Sequence, residues 1–124
     1  MNLFDELVGA FGDRLGISGL APGRDDRVTL QIESVGQFQL ERDGDSLLAT
    51  LARAKSPYAA SAARTLLKLS HWRENHPWPI HPGMKGDDII TMTARIPMAR
   101  ADVPTLESTL ELLSMLLGSV EAAG

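Results

Sequence analysis

The sequence predicts an α+β fold in which an antiparallel twisted sheet packs with three helices, in the order α-β-β-β-α-β-β-α. Runs of alternating apolar and polar residues predict the strands, and apolar residues at helical spacing predict the helices. Glycine, proline and Asp-Gly signals separate these runs. At 124 residues without repeats, the chain has the usual size of one domain, so residues 1–124 are predicted to form a single domain.

The first helix is predicted to begin after Asn2, a preferred helix-capping residue, and to run to about Leu15. Gly16 and Gly19 can adopt left-handed backbone conformations that end a helix, and a loop is predicted from there to Asp26. The apolar residues of the helix recur with a period of about 3.6 residues and define one face. They are Leu3, Phe4, Leu7, Val8, Phe11 and Leu15.

Three strands are predicted to follow as an antiparallel meander with one apolar and one polar face. Residues 28–33 and 37–41 alternate apolar with polar side chains, and Gly36 between them predicts a hairpin. Asp-Gly at 43–44 is a second turn signal, so residues 46–54 are predicted to form the third strand.

Ser56 and Pro57 predict the start of a middle helix, as N-cap and first helical residue. Plotted at about 100° per residue, the apolar side chains of residues 58–72 fill roughly 200° of arc. A helix on one sheet needs little more than half of this arc, so the surplus can bury a partner subunit. The alternative is that alanine is simply favourable anywhere on a helix. The predicted dimer residues are Ala59, Ala63, Leu66 and Leu67.

The remaining elements are a proline-rich segment, a strand and a helix. Residues 75–86 contain three prolines and are predicted to form a loop or an irregular edge strand. Residues 90–96 alternate as a clear strand, which Pro97 ends. Asp102 and Pro104 predict the start of the last helix.

Composition and charge exclude several classes of function. The 12 basic and 16 acidic residues give a net charge of −4, which would repel a phosphate backbone, so no nucleic-acid partner is expected. The absence of cysteine fits a reducing cytoplasm. The first residues lack the basic region of a signal peptide, and no apolar run is long enough to cross a bilayer. We therefore expect a cytoplasmic protein with no membrane partner.

The residues offer no recognisable catalytic site. His71, His76 and His81 lie at five-residue spacing, but a zinc site needs ligands that converge, and prolines stiffen this segment. A structural or exposed role is expected for them, with no metal. Neither a G-x-S-x-G elbow nor a glycine-rich phosphate loop is present. The sequence thus predicts a protein-binding protein and not an enzyme, with no catalytic residue and no cofactor.

Four segments carry a resemblance to a known family. Arg-Leu-Gly-Ile at 14–17 is similar to the end of its first helix, and residues 29–41 to its first two strands. Residues 93–98, closing in Arg-Ile-Pro-Met, resemble its last strand, and the apolar stripe after Asp102 resembles its final helix. In this order, the segments resemble the class I type III secretion chaperones of Gram-negative bacteria, the CesT/SycE-like family. The family's glycine-rich fourth strand is replaced by the proline-rich residues 76–83.

The resemblance implies a bacterial, cytoplasmic homodimer, paired through the middle helix and associated with virulence. It binds the N-terminal segment of a secreted effector and keeps that segment soluble and export-competent without ATP or metal. The effector segment would lie extended in grooves near the first helix and add strands at sheet edges. The effector-binding residues expected on this basis are Leu15, Ile17, Leu30 and Phe38.

Two alternatives stay open on the sequence alone. In the first, the chain is an adaptor or one half of a heterodimeric secretion chaperone, and the apolar arc of the middle helix faces a different subunit. In the second, the chain is a small enzyme or ligand-binding α+β domain. A deep polar pocket with an inward histidine would favour the enzyme, whereas shallow apolar grooves on a dimer would favour the chaperone.

Overall fold

A computed structural model describes residues 3–54, 76–86 and 88–123 of the chain. These residues form two α-helices, α1 (Leu3–Arg14) and α2 (Val103–Ala123). They also form five strands, β1 (Arg27–Ile32), β2 (Gly36–Asp43), β3 (Ser46–Ala54), β4 (Ile80–Lys85) and β5 (Ile89–Pro97), and a 3-10 turn at Met98–Arg100. The predicted α+β fold class is confirmed. The predicted middle helix lies outside the described residues, and so do the dimer residues Ala59, Ala63, Leu66 and Leu67.

All neighbouring strands of the sheet are antiparallel, and their order is β1-β2-β3-β5-β4. The predicted meander of the first three strands is confirmed, and β3 has the predicted bounds. The proline-rich segment contributes the predicted edge strand, β4, with Pro82 inside it. The sheet therefore has two edges, β1 on one side and β4 on the other.

The core lies between one face of the sheet and the two described helices. Alternate residues of each strand point to this face, and α1 and α2 contribute apolar residues from their facing sides. The rings of Phe11 in α1 and Phe38 in β2 meet with their centroids 5.8 Å apart. Each fully buried side chain of this size contributes about 1.5–3 kcal/mol. The largest buried side chains are Phe4, Phe11, Phe38, Leu40, Leu47, Leu51, Met92, Ile96, Leu106, Leu113 and Leu117.

The loop after α1 folds back against the helix, and Gly12 and Gly16 permit this. Gly16 has a φ of 83°, and the backbone N–H of Ile17 donates to the carbonyl oxygen of Gly12 over 2.7 Å. Leu20 then packs against the core. A Cβ atom added at Gly12 would lie 2.7 Å from the Cβ of Leu20, whereas one added at Gly9 would have its nearest contact at 3.8 Å.

Polar interactions cap α2 and connect it to the sheet. The carboxylate of Asp102 accepts a hydrogen bond from the backbone N–H of Thr105 over 2.8 Å, which caps the helix as predicted. Further along, the half-buried Arg53 of β3 donates to the hydroxyl of Ser114 over 2.7 Å and also to the carbonyl oxygen of Val35. Arg53 thus ties the β1–β2 hairpin and β3 to α2.

The packing of the loop predicts opposite effects for two glycine-to-alanine changes in α1. Gly12→Ala should destabilise the fold, because overpacking costs about 1–3 kcal/mol. Gly9→Ala, the matched control, should raise stability by about 0.5–1 kcal/mol, because alanine favours a helix interior and the added methyl has room. Urea unfolding of both variants measures the difference, and equal effects of the two changes would contradict the described packing.

Candidate functional site

The end of α1 presents two apolar side chains to solvent. Phe4, Leu7 and Phe11 are buried, but Leu15, one turn beyond Phe11, is 39% exposed. Ile17 is 38% exposed and lies in the loop that folds back on α1. Leu15 and Ile17, named here the helix-end patch, are thus exposed to solvent, and their role in effector binding stays a prediction. An apolar patch on a surface often marks a binding site.

The other two expected effector-binding residues point the opposite way. Leu30 is 7% exposed and Phe38 is 0% exposed, and they are paired directly across β1 and β2 on the helix-facing side. The expectation that they face outward is wrong. Alternation shows that a strand has two faces, but a shift of one residue exchanges them, so it does not tell which face is buried. Here α1 covers the side that carries Phe38, through Phe11.

The β1 edge has backbone hydrogen-bonding groups that no other described strand pairs with. The carbonyl oxygen of Asp26 accepts from Arg42 of β2, while that of Arg27 accepts from Gly23 on the outer side. Backbone N–H and C=O groups alternate in direction along a strand. Those of Thr29 and Gln31 therefore point away from β2, as those of Arg27 do. Among the strands that the structure describes, β1 pairs with β2 alone. The edge therefore offers two N–H donors and two carbonyl acceptors.

The β4 edge is poorer in donors. The carbonyl oxygen of Pro79 accepts from the backbone N–H of Arg95 in β5 over 3.1 Å, so alternate residues from Pro79 onward face β5. Ile80, Pro82 and Met84 consequently face outward. Proline has no N–H, so the middle of this edge lacks a donor. A proline at this position is a common protection of an edge strand against unwanted pairing.

Two of the grooves among the described residues are open to solvent. The first lies at the end of the β1–β2 hairpin, between residues 31–37 and the end of β3. The second lies between Trp78 and the first turns of α2, and we call it the Trp78 groove. Neither His76 nor His81, the two described histidines, lines either groove. These grooves resemble the shallow surfaces expected of a binding protein more than the deep polar pocket expected of an enzyme.

The described histidines do not gather into a metal site. His76 is half-buried before β4, and His81 is exposed on β4. No group of three histidine, cysteine or acidic residues within the described ranges could hold a metal ion. His71 lies outside those ranges.

One carboxyl group in the Trp78 groove has an altered proton affinity. The pKa of Asp102 is lowered, chiefly by a hydrogen bond with the Thr105 side chain and next by the bond with its backbone N–H. A lowered pKa favours the charged form, so Asp102 remains a carboxylate while it caps α2. This contribution to stability is present above the unfolded pKa and is lost as the pH falls through the folded pKa.

Comparison with known proteins places the chain in a family. The model of the Tir chaperone protein (CesT) family matches residues 6–121. The chain belongs to this family. The resemblance carried by the first helix, the strands and the last helix is therefore confirmed. A search of curated proteins finds no match to the sequence.

Solved structures with low sequence identity share the CesT-family fold. A chain from the Yersinia pestis complex of the type III secretion chaperone SycH with a fragment of YscM2 has a TM-score of 0.65 at 14% identity, covering 98% of this chain and 99% of that one. A chain of the HopA1–SchA chaperone–effector complex has a TM-score of 0.74 at 18% identity, covering 94% and 91%. YbjN from E. coli, described as a candidate transcription regulator, has a TM-score of 0.63 at 14% sequence identity. The match covers 99% of this chain and 93% of the YbjN chain. At such identities the likeness shows the fold alone.

Two features of the surface were not predicted from the sequence. The first is the difference in backbone donors between the two sheet edges, which depends on which residues of β1 and β4 point outward. The proline in β4 was the one sequence signal that the β4 edge would lack a donor. The Trp78 groove depends on the approach of residues 77–78 to α2, which no local pattern indicates. Within the described ranges, no helix is long and apolar enough to cross a membrane.

Proposed function

We propose that this protein is a type III secretion chaperone that binds the N-terminal segment of a secreted effector and keeps it soluble and export-competent. The family match over residues 6–121 is the observation that carries the proposal. Of the structures that share the fold, one is a complex of a type III secretion chaperone and another is a chaperone–effector complex. Since YbjN shares the fold as well, fold alone does not decide function, and the family match is what favours the chaperone.

The described surface suits an extended peptide. The helix-end patch supplies apolar contacts, and the β1 edge supplies four backbone groups, from Thr29 and Gln31, that can pair with an added strand. One hydrogen bond contributes about 0.5–1.5 kcal/mol net to the free energy of binding. A short added strand therefore needs several such bonds together with apolar burial. The β4 edge, with Pro82 at its centre, is the poorer template.

Such a chaperone acts by equilibrium binding and needs no catalytic residue, cofactor or metal. A protein that binds the unfolded client segment lowers the concentration of free segment that can aggregate. We propose that residues 1–124 act as one domain in the cytoplasm, with no nucleic-acid or membrane partner. The net charge of −4 supports the exclusion of nucleic acid.

The protein is proposed to act as a homodimer through Ala59, Ala63, Leu66 and Leu67. The support is the wide apolar arc of residues 58–72, which exceeds what one sheet can cover. The same arc would serve a heterodimeric chaperone, in which a different subunit covers it. The mass of the purified protein separates the two pairings.

The homodimer predicts a sedimentation mass of about twice 13.4 kDa at micromolar concentration. Leu66→Asp should give a monomer, because it places an unpaired carboxylate in an apolar contact. Lys68→Asp, on the polar side of the same predicted helix, should leave the mass unchanged. A parent protein that sediments as a monomer would contradict the homodimer and favour a different partner subunit.

The helix-end patch predicts which surface changes abolish client capture. A suitable client is the protein encoded beside this chain's own gene, provided that its N-terminal segment is disordered. Leu15→Glu and Ile17→Glu should each reduce co-purification of that segment strongly, because each places a charge against apolar client side chains. Leu3→Glu is the matched control, because Leu3 is 71% exposed at the other end of α1.

All three of these side chains are exposed, so circular dichroism and sedimentation mass should remain as in the parent protein. Normal capture by both Leu15→Glu and Ile17→Glu would show that the client binds elsewhere. Equal loss with Leu3→Glu would show that added charge, and not the helix-end patch, decides capture.

A further inference from the structure

The turn that joins β1 to β2 has an unusual backbone. Ser34 has a φ of 64°, in the left-handed region that residues other than glycine rarely adopt. The backbone N–H of Val35 donates to the carbonyl oxygen of Ile32 over 3.1 Å, and Gly36 follows with a φ of 133°. A Cβ atom added at Gly36 would lie 2.6 Å from the carbonyl oxygen of Ala52 in β3. The turn therefore lies close against β3, in a conformation that serine does not favour.

The side chains of the turn give it little hold on the rest of the protein. Glu33 and Ser34 are exposed, and the turn borders the open groove at the end of the hairpin. Ile32 and Val35 are only partly buried against the core. Two paired strands are marginally stable by themselves in water, and local opening is easiest where few apolar contacts are made. Contacts from outside the hairpin are therefore needed to keep this end of β1 paired with β2.

Arg53 of β3 supplies such contacts. Its Nε atom donates to the carbonyl oxygen of Val35 in the turn, and its Nη2 atom donates to the hydroxyl of Ser114 over 2.7 Å. Ser114 lies in α2 next to Leu113, which is fully buried in the core. The planar guanidinium holds both donors in a fixed geometry, so one rigid group spans the two acceptors. Arg53 thus forms a bridge from the turn to a helix that the core holds in place.

We propose that Arg53 is a positioning residue for client binding, because it holds the β1–β2 turn closed and so keeps the β1 edge ready to pair with the client. This role rests on the proposed chaperone function. Gln31, whose backbone groups point away from β2, directly precedes Ile32, where the turn begins. If the turn opened, these groups of Gln31 would lose their fixed direction, and the client would have to order them on binding. Arg53 acts through the turn and needs no contact with the client.

Amide hydrogen exchange in the protein without client tests whether Arg53 holds the turn. In Arg53→Met, the N–H groups of Leu30 and Ile32, which point to β2 near the turn, should exchange about three- to tenfold faster, the effect of about one net hydrogen bond. Val28, at the other end of β1, should exchange as in the parent protein. Arg42→Met is the matched control, because it removes the same charge from an exposed position on β2, and it should change none of these rates.

Client affinity tests whether the closed turn matters for binding. The probe is the N-terminal client segment of the capture experiment, and its dissociation constant is measured with each variant. Arg53→Met should weaken binding about three- to tenfold, and Ser114→Ala should weaken it as well. Ser108→Ala, at an exposed serine of the same helix, is the matched control and should bind like the parent protein. Adding Ser114→Ala to Arg53→Met should weaken binding no further, because both changes break the same bridge.

Unchanged exchange in Arg53→Met would overturn the proposal, and so would an equal acceleration over β1, β3 and β5, which reports a general loss of stability. Additive losses of client affinity in the double variant would also overturn it. If Arg53→Met fails to fold, Ser114→Ala and its control decide by the same exchange rates and affinities. A parent protein that does not bind the segment would overturn the proposed function together with this role. A parent protein and variants that all bind alike would overturn the role of Arg53 alone.

Discussion

The structure depends on the burial of one sheet face beneath α1 and α2. The contact between Phe11 and Phe38, with ring centroids 5.8 Å apart, lies within this layer. Once this face is the core, the side-chain alternation of all five strands is determined, because each strand must turn the same set of residues inward. Residues on this face serve stability, and the helix ends, strand edges and grooves are the surfaces that remain accessible to a partner.

The parts left for binding have complementary chemistry. The helix-end patch of Leu15 and Ile17 offers apolar area, and the β1 edge offers backbone donors and acceptors. The Trp78 groove offers apolar area from Trp78, Pro104 and Leu112. An extended peptide carries all the matching groups along its length, so one segment can use several sites, and weak contacts add when they are linked.

Local sequence signals predicted much of this architecture. Alternation and turn residues gave β3 its bounds, and Asp102 gave the start of α2, because these features depend on neighbouring residues. The orientation of Phe38 was not predictable, since alternation leaves the buried face undetermined. The Trp78 groove was not predictable either, because it arises only where residues 77–78 approach α2 in three dimensions.

We propose that a client segment pairs with the β1 edge, and amide hydrogen exchange tests this pairing most directly. When the client's N-terminal segment is added, exchange should slow at the outward N–H groups of Thr29 and Gln31, because an added strand would bond them. Exchange at Ile80 and Met84, on the edge that Pro82 interrupts, should not change. Slowed exchange at β4 with none at β1 would contradict the account.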